Sequence, residues 1–251
     1  MNNLSEEELK SFFRESIVDS AKYGLRAIRM FHFPDIDHFS ELISGFEELE
    51  RLDIFYTKVK LEKPLDKLVN LKSLWIRSCG INEIPEVVCS LSKLENMGFQ
   101  YSEISEIPEN ISSLKNLKFL NLEVNRISVL PEGLCKLGAL KKLLLWGNQI
   151  RELPGCFHQL SNLETLSLDN NNLEKIPDPI YKMGNLKFLS LPYNMITHFP
   201  EDLLIALPNL EKLHIYGNPI ANLPKHILEY KHPETNSRNV LQLVKEYFSL
   251  S

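Results

Sequence analysis

A chain of 251 residues, 43% hydrophobic and 24% charged, has an ordinary globular composition and length for one or two domains. Its formal net charge of -5 gives no general attraction to nucleic acid or anionic membranes. No run of about 18 apolar residues occurs, which excludes a transmembrane helix.

The first residues, Met1 to Glu8, are acidic and lack an apolar core of signal-peptide type. With Met1 as the natural start, the expected location is the cytoplasm. A leader removed upstream of Met1 would make the protein exported instead. Residues 1–24 read as an N-terminal capping helix. Ser5 and Glu8 have capping-box spacing, Leu9, Phe12, Phe13 and Ile17 make one apolar face, and Gly24 is a suitable stop.

Residues 25–232 read as one array of repeats. Leu25, Ile28 and Met30 begin a degenerate first unit, and Leu49, Leu52 and Ile54 an irregular second one. From Leu71 the register is firm, with units opening at Leu71, Leu94, Leu117, Leu140, Leu163, Leu186 and Leu210. The steps are 23 residues until a final step of 24, whose extra residue falls in 201–206. Within one unit, Leu117, Leu120 and Leu122 alternate as in a strand, and Asn125 turns the chain. Ile127 and Leu130 follow, and Leu134 and Leu137 bring it back. A self-similar period of this length is the signature of a stacked array.

Three ladders run through the units. The turn position holds Cys79, Ser102, Asn125, Asn148, Asn171, Asn194 and Asn218. An asparagine side chain donates and accepts, so stacked copies can serve the turn of their own unit and its neighbour. Cysteine and serine do this more weakly, and the units at Leu71 and Leu94 are expected to be less regular. Pro85, Pro108, Pro131, Pro154, Pro177, Pro200 and Pro224 fix φ where the chain enters its outer segment, and leave no orphan amide. Leu91, Leu114, Leu137, Leu160, Met183 and Leu207 return that segment to the core. Residues 233–251 read as a turn at 233–236 and a C-terminal capping helix, with Val240, Leu241, Val244, Tyr247 and Phe248 on one face. Ends of a stacked array need such covers.

The pattern resembles the leucine-rich repeat family, in its 23-residue form with a Leu-Pro dipeptide, the Ras-group type also common in bacteria. The resemblance covers roughly residues 49–230. It implies an α/β right-handed solenoid bent into an arc, with a parallel β-sheet lining the concave side. It also implies binding of a protein partner on that face. No phosphate-loop motif is present, which excludes a fused GTPase.

Side chains alternate along a strand, so the third, fifth and seventh positions of each unit are expected to face the concave surface, with the eighth nearby. Both tryptophans, Trp75 and Trp146, fall there, as do Phe119, Leu144, Phe188, Tyr193 and Tyr216. Large apolar groups at sites expected to face solvent mark an interaction surface. These seven are the expected partner-binding residues, with Phe119, Leu144, Trp146 and Phe188 as the central patch. Charges on this face are mixed, so the basic groove that single-stranded nucleic acid needs is missing.

No catalytic, cofactor or metal site is expected. The seven histidines form no His-Glu-x-x-His motif, and the register places no carboxylate or nucleophile beside His214. Asp169 to Asn172 looks like a calcium loop but lacks its glycine and distal glutamate. Cys79, Cys89, Cys135 and Cys156 form no Cys-x-x-Cys pair and read as four free thiols of a reducing compartment, with a disulfide among them as the alternative. The expected function is non-enzymatic binding of a protein by a monomeric, rigid scaffold. Alternatives are an exported adhesin or host-directed effector, and a regulatory or inhibitory subunit of an enzyme.

Overall fold

The computed structural model describes residues 26–32, 38–228 and 240–248. The expected helix over residues 1–24 and the turn at 233–236 lie outside them. Among the described residues nine strands form one parallel sheet in strict chain order. They are β1 (Ala27–Phe31), β2 (Arg51–Phe55), β3 (Ser73–Arg77), β4 (Asn96–Gln100), β5 (Phe119–Asn121), β6 (Lys142–Leu144), β7 (Thr165–Ser167), β8 (Phe188–Ser190) and β9 (Lys212–His214). Neighbouring strands pair so that equivalent repeat positions sit side by side, as Asn121 with Leu144 and Ser167 with Ser190. The two degenerate units join the sheet in the same register as the regular ones. This is the expected leucine-rich repeat solenoid with a concave sheet.

The outer side is made of short turns of helix. Five 3₁₀ segments, such as Glu132–Lys136 and Gly155–Gln159, each follow a ladder proline. Those prolines have φ between -73° and -59°, the range their rings impose. After Pro200 the extra residue converts the 3₁₀ turn into a short α-helix. Helix α1 (Phe39–Ser44) occupies the outer side of the first unit, α2 (Leu203–Ala206) that of the eighth and α3 (Lys225–Leu228) follows Pro224.

Between sheet and outer turns lies one continuous core. The unit-opening leucines from Leu49 onward, the inward strand residues and the returning ladder Leu91, Leu114, Leu137, Leu160, Met183 and Leu207 are all buried in it. Burying one such leucine contributes roughly 1.5–3 kcal/mol, which is why the leucine spacing dictates the fold. Helix α4 (Val240–Tyr247) packs against β9 and α3, burying Leu241 and Val244. Phe248 stacks on Phe199 with ring centroids 6.1 Å apart, whereas Tyr247 turns outward and is 50% exposed.

The buried asparagines work as their chemistry demands. Asn148 Nδ2 donates to the Leu145 carbonyl of its own unit at 3.0 Å and to Leu122 of the preceding unit at 2.9 Å. Its Oδ1 accepts from the Ile127 amide at 3.0 Å. Asn125, Asn171, Asn194 and Asn218 repeat this three-way pattern. Asn171 is therefore committed to the turn and not to a calcium loop. At the two exceptions, Cys79 Sγ donates to the Ile54 and Arg77 carbonyls, and Ser102 Oγ to Gln100 alone. The units with Cys79 and Ser102 have five-residue strands, whereas the five with asparagine have three.

The cysteines correct the expectation of four free thiols. Cys135 and Cys156 form a disulfide, their Cα atoms 5.9 Å apart. They sit on consecutive outer 3₁₀ turns, where a 21-residue separation brings them face to face. Cys79 and Cys89 are free and buried.

Candidate functional site

The concave face is a grid of rows across strands. Its third, fifth and seventh positions do face away from the core, but not all of them reach solvent. In the fifth row Asp53, Gly98, Asn121, Ser167 and Ser190 are covered by neighbours, and Pro192 is covered in the seventh. Small side chains in the middle row of a concave sheet are overhung by the larger groups around them. Trp75, Phe119, Leu144, Phe188 and Tyr216 are half-buried, while Trp146 at 36% and Tyr193 at 51% are exposed.

The eighth position holds a feature that spacing alone does not reveal. His32, Tyr56, Ser78, Tyr101, Val124, Gly147, Asn170, Tyr193 and Gly217 all have φ between 51° and 72°. Each unit thus leaves its strand through a left-handed residue. This swings the side chains of Tyr56, Tyr101 and Tyr193 out at the rim, where each is exposed.

Five of the seven expected contact residues fall into two ring groups, and Leu144 on β6 and Trp146 just after it belong to neither. Trp75 packs edge-on to Phe119 at 5.3 Å, and Lys142 Nζ lies 4.9 Å from the Phe119 ring centroid. Trp75 Nε1 donates to Ser73 Oγ at 2.9 Å, which holds the indole flat over Gly98. In the second group Phe188 meets His214 edge-on at 5.0 Å, His214 lies 6.3 Å from Tyr216, and Tyr216 meets Tyr193 edge-on at 5.4 Å. No ring contact joins Phe188 to Trp146 among the described residues. The polar residues Thr165, Ser167 and Asp169 of the intervening unit lie between them.

A recess of about 530 Å³ opens between the groups. Leu144, Phe188 and His214 wall it, Ser167 and Ser190 lie in its floor, and Lys142, Lys187 and Lys212 are at its edge. Asp169 lines it too. Burial pushes its carboxyl above the usual aspartate range, while hydrogen bonds from Ser190 and Ser167 and the charge of His214 act the other way. Burial lowers the His214 imidazole, opposed by Asp169. Asp169 and His214 line the same recess and influence each other's charge, but no ion pair or hydrogen bond joins them among the described residues. Ser167 Oγ donates to Asp169 at 3.1 Å, but no hydrogen bond joins His214 to Ser167 or Ser190 among the described residues.

Two further ladders escaped the sequence reading. Asn70, Asn116, Asn162, Asn185 and Asn209 each stand just before a unit-opening leucine. Each donates from Nδ2 to a carbonyl of the preceding unit at 2.7–2.9 Å. Lys72 with Glu50, Lys118 with Glu95 and Lys187 with Glu164 pair between units at 2.8–3.1 Å. The signal was present as a recurrent Asn-Leu dipeptide followed by a charge.

A family model described as leucine-rich repeat region matches residues 25–146 and 108–218. Similar solved structures include internalin C2 from Listeria monocytogenes, 22% identical over 76% of this chain and 80% of that chain, with a TM-score of 0.67. The internalin inlF of the same organism is 17% identical over 88% of this chain and 78% of that chain, with a TM-score of 0.54. A Leptospira interrogans leucine-rich repeat protein is 25% identical over 82% of this chain and 70% of that chain, at a TM-score of 0.44. No curated protein matches the chain. Among the described residues no helix is long and apolar enough to cross a membrane. With the family match spanning most of its length and the sheet, core and asparagine ladder built as that repeat requires, the chain belongs to the leucine-rich repeat family.

Proposed function

We propose that the chain is a non-enzymatic scaffold that binds a protein partner on its concave face. One observation carries this reading. Trp75, Phe119, Leu144, Trp146, Phe188, Tyr193 and Tyr216 hold large apolar surface at least partly open to solvent on one face, and Leu144 and Phe188 wall its recess. Aromatic groups of this kind dominate interface energetics, and a sheet held by a continuous core loses little freedom on binding. The partner's apolar side chains would enter the recess and displace water from Leu144 and Phe188. The scaffold acts as a monomer, with neither nucleic acid nor membrane as its ligand. Helix α4 serves as its C-terminal cap, and residues 1–24 serve as the N-terminal one.

A photo-crosslinking amino acid tests the reading when placed at Trp146 and, as control, at Ile205 on the outer side, which is 70% exposed. Crosslinks to one protein from Trp146 and none from Ile205 are expected. The opposite distribution would place the interface on the convex side.

A second reading keeps the same face but places the protein outside the cytoplasm, as an exported adhesin or host-directed effector. The Cys135–Cys156 disulfide favours it, because such bonds persist in oxidising compartments and are rare in the cytosol. The cytoplasmic expectation drew partly on free thiols, and that support is gone.

A further inference from the structure

The N-terminal half of the concave face differs in charge from the half that holds the recess. Arg29 and Arg51 both bond the carboxylate of Asp53, which is 1% exposed, at 2.9 Å and 3.0 Å. Both use Nε, so the paired terminal nitrogens of each guanidinium bond no protein group among the described residues. On β3, the strand after that of Arg51, Arg77 stacks over the Tyr101 ring at 4.4 Å. Its Nε is buried with no hydrogen-bond partner, and no carboxylate pairs with it among the described residues. Across the outward rows of β1 to β4, three guanidiniums face one carboxylate, a surplus of two positive charges in a chain of net -5. Exposed Phe31, Tyr56 and Tyr101 surround them.

We infer that this surface is a second contact zone that takes an acidic, extended segment of a protein partner, with one carboxylate on Arg77 and another on the Arg29–Arg51 pair. This rests on the reading that the concave face docks protein. The chemistry fits because a guanidinium edge matches a carboxylate in a bidentate manner. The geometry fits as well. Three adjacent strands span about 10 Å, which about three residues of an extended segment can bridge. Single-stranded nucleic acid is disfavoured because the positive row stops. Beyond Gln100 the next seventh-position residue is Glu123, whose carboxylate bonds Gln100 and Asn121.

Fluorescence anisotropy of the full chain with labelled deca-glutamate at low salt tests this, with deca-glutamine and decathymidylate as comparisons. Deca-glutamate should bind in a salt-sensitive way and deca-glutamine should not. Arg77→Gln should weaken binding about tenfold, and Arg77→Lys should restore part of it, as expected for a charge contact. Tyr101→Asn keeps a residue that tolerates the left-handed backbone and removes the ring beneath Arg77, and should weaken binding about threefold. It serves as the second variant if Arg77→Gln does not fold. Trp146→Ala should leave deca-glutamate binding unchanged, which separates this zone from the aromatic recess. No deca-glutamate binding, equal binding by Arg77→Gln and Tyr101→Asn, or tighter binding of decathymidylate would each overturn the inference. None of these results would affect crosslinking from Trp146.

Discussion

The indole of Trp75 lies so close over Gly98 that a Cβ there would meet its ring carbons at 2.3 and 2.5 Å. The sequence places these two residues side by side on β3 and β4, and the absence of a side chain at one lets the other lie flat. Trp75 then reaches Phe119 on the following strand. A glycine in a strand interior usually weakens it. Here it sets the position of an aromatic group on the proposed binding face. Gly98→Ala must lift the indole, at a cost of about 1–3 kcal/mol for the forced repacking. Trp75 fluorescence should shift to longer wavelength in a Trp146→Phe background, and partner affinity should fall with the fold retained. An unshifted spectrum would mean the indole does not depend on Gly98.

The buried asparagines and the outer ones should behave differently although both bridge units. Asn148→Ala strips hydrogen bonds from the Leu122 and Leu145 carbonyls and the Ile127 amide, all out of water. A loss of roughly 3 kcal/mol is expected from urea unfolding. Asn162→Ala removes one exposed bond to Gly138 and should cost less than about 1 kcal/mol.

Val124 is a β-branched residue held at φ 55°. The left-handed conformation costs such a residue about 1–2 kcal/mol, and asparagine tolerates it better. Val124→Asn should therefore raise stability by about 1 kcal/mol, read as a higher denaturation midpoint. A loss of stability would show that the packing of this half-buried side chain outweighs the backbone strain.

The disulfide can be counted directly. The unfolded, unreduced chain should titrate two thiols, Cys79 and Cys89, and the reduced chain four. Folded protein should react slowly at pH 8, because burial and the nearby Glu86 push the Cys89 thiol up to about 11 and burial also raises Cys79. Replacing Cys135 and Cys156 by serine should cost about 3 kcal/mol, the order expected for a loop of this length. Four thiols in the unreduced chain would restore the cytoplasmic expectation.

Asp169 holds its proton more tightly in the folded chain than in the unfolded one. Its ionisation therefore removes stability as pH rises from 3.8 through the raised folded value. His214 acts in the opposite sense, removing stability as pH falls from 6.5 towards its depressed folded value. Asp169→Asn should be at least as stable as the parent at pH 7, with the advantage gone below pH 3.8. Denaturation midpoints at the two pH values check this. A variant less stable at pH 7 would mean the carboxylate's own contacts outweigh its burial.

Much of the fold was legible because it rests on spacing. Leu117, Leu120 and Leu122 announce a strand, Asn125 its turn and Pro131 the outer segment, and each does what its chemistry requires. The site was legible only in part. Alternation gives the direction in which Ser167 and Asp169 point, but the bend of the sheet decides whether they are covered. Bend is a property of the whole array. The Cys135–Cys156 bond was missed because the residues are 21 apart in a 23-residue period, and only the shape of the 3₁₀ turns cancels the offset. The left-handed eighth position was hidden because tyrosine, valine and histidine occupy it as well as glycine and asparagine.

Binding through the concave face is tested most directly by comparing captured partner from the native source for the parent, for Phe119→Ala with Trp146→Ala, and for Ile205→Ala on the outer side. All three should fold, checked by circular dichroism and thermal unfolding. The account predicts that the concave double variant loses the partner that the parent and the Ile205 variant retain. Equal recovery by a folded Phe119→Ala, Trp146→Ala protein would contradict it.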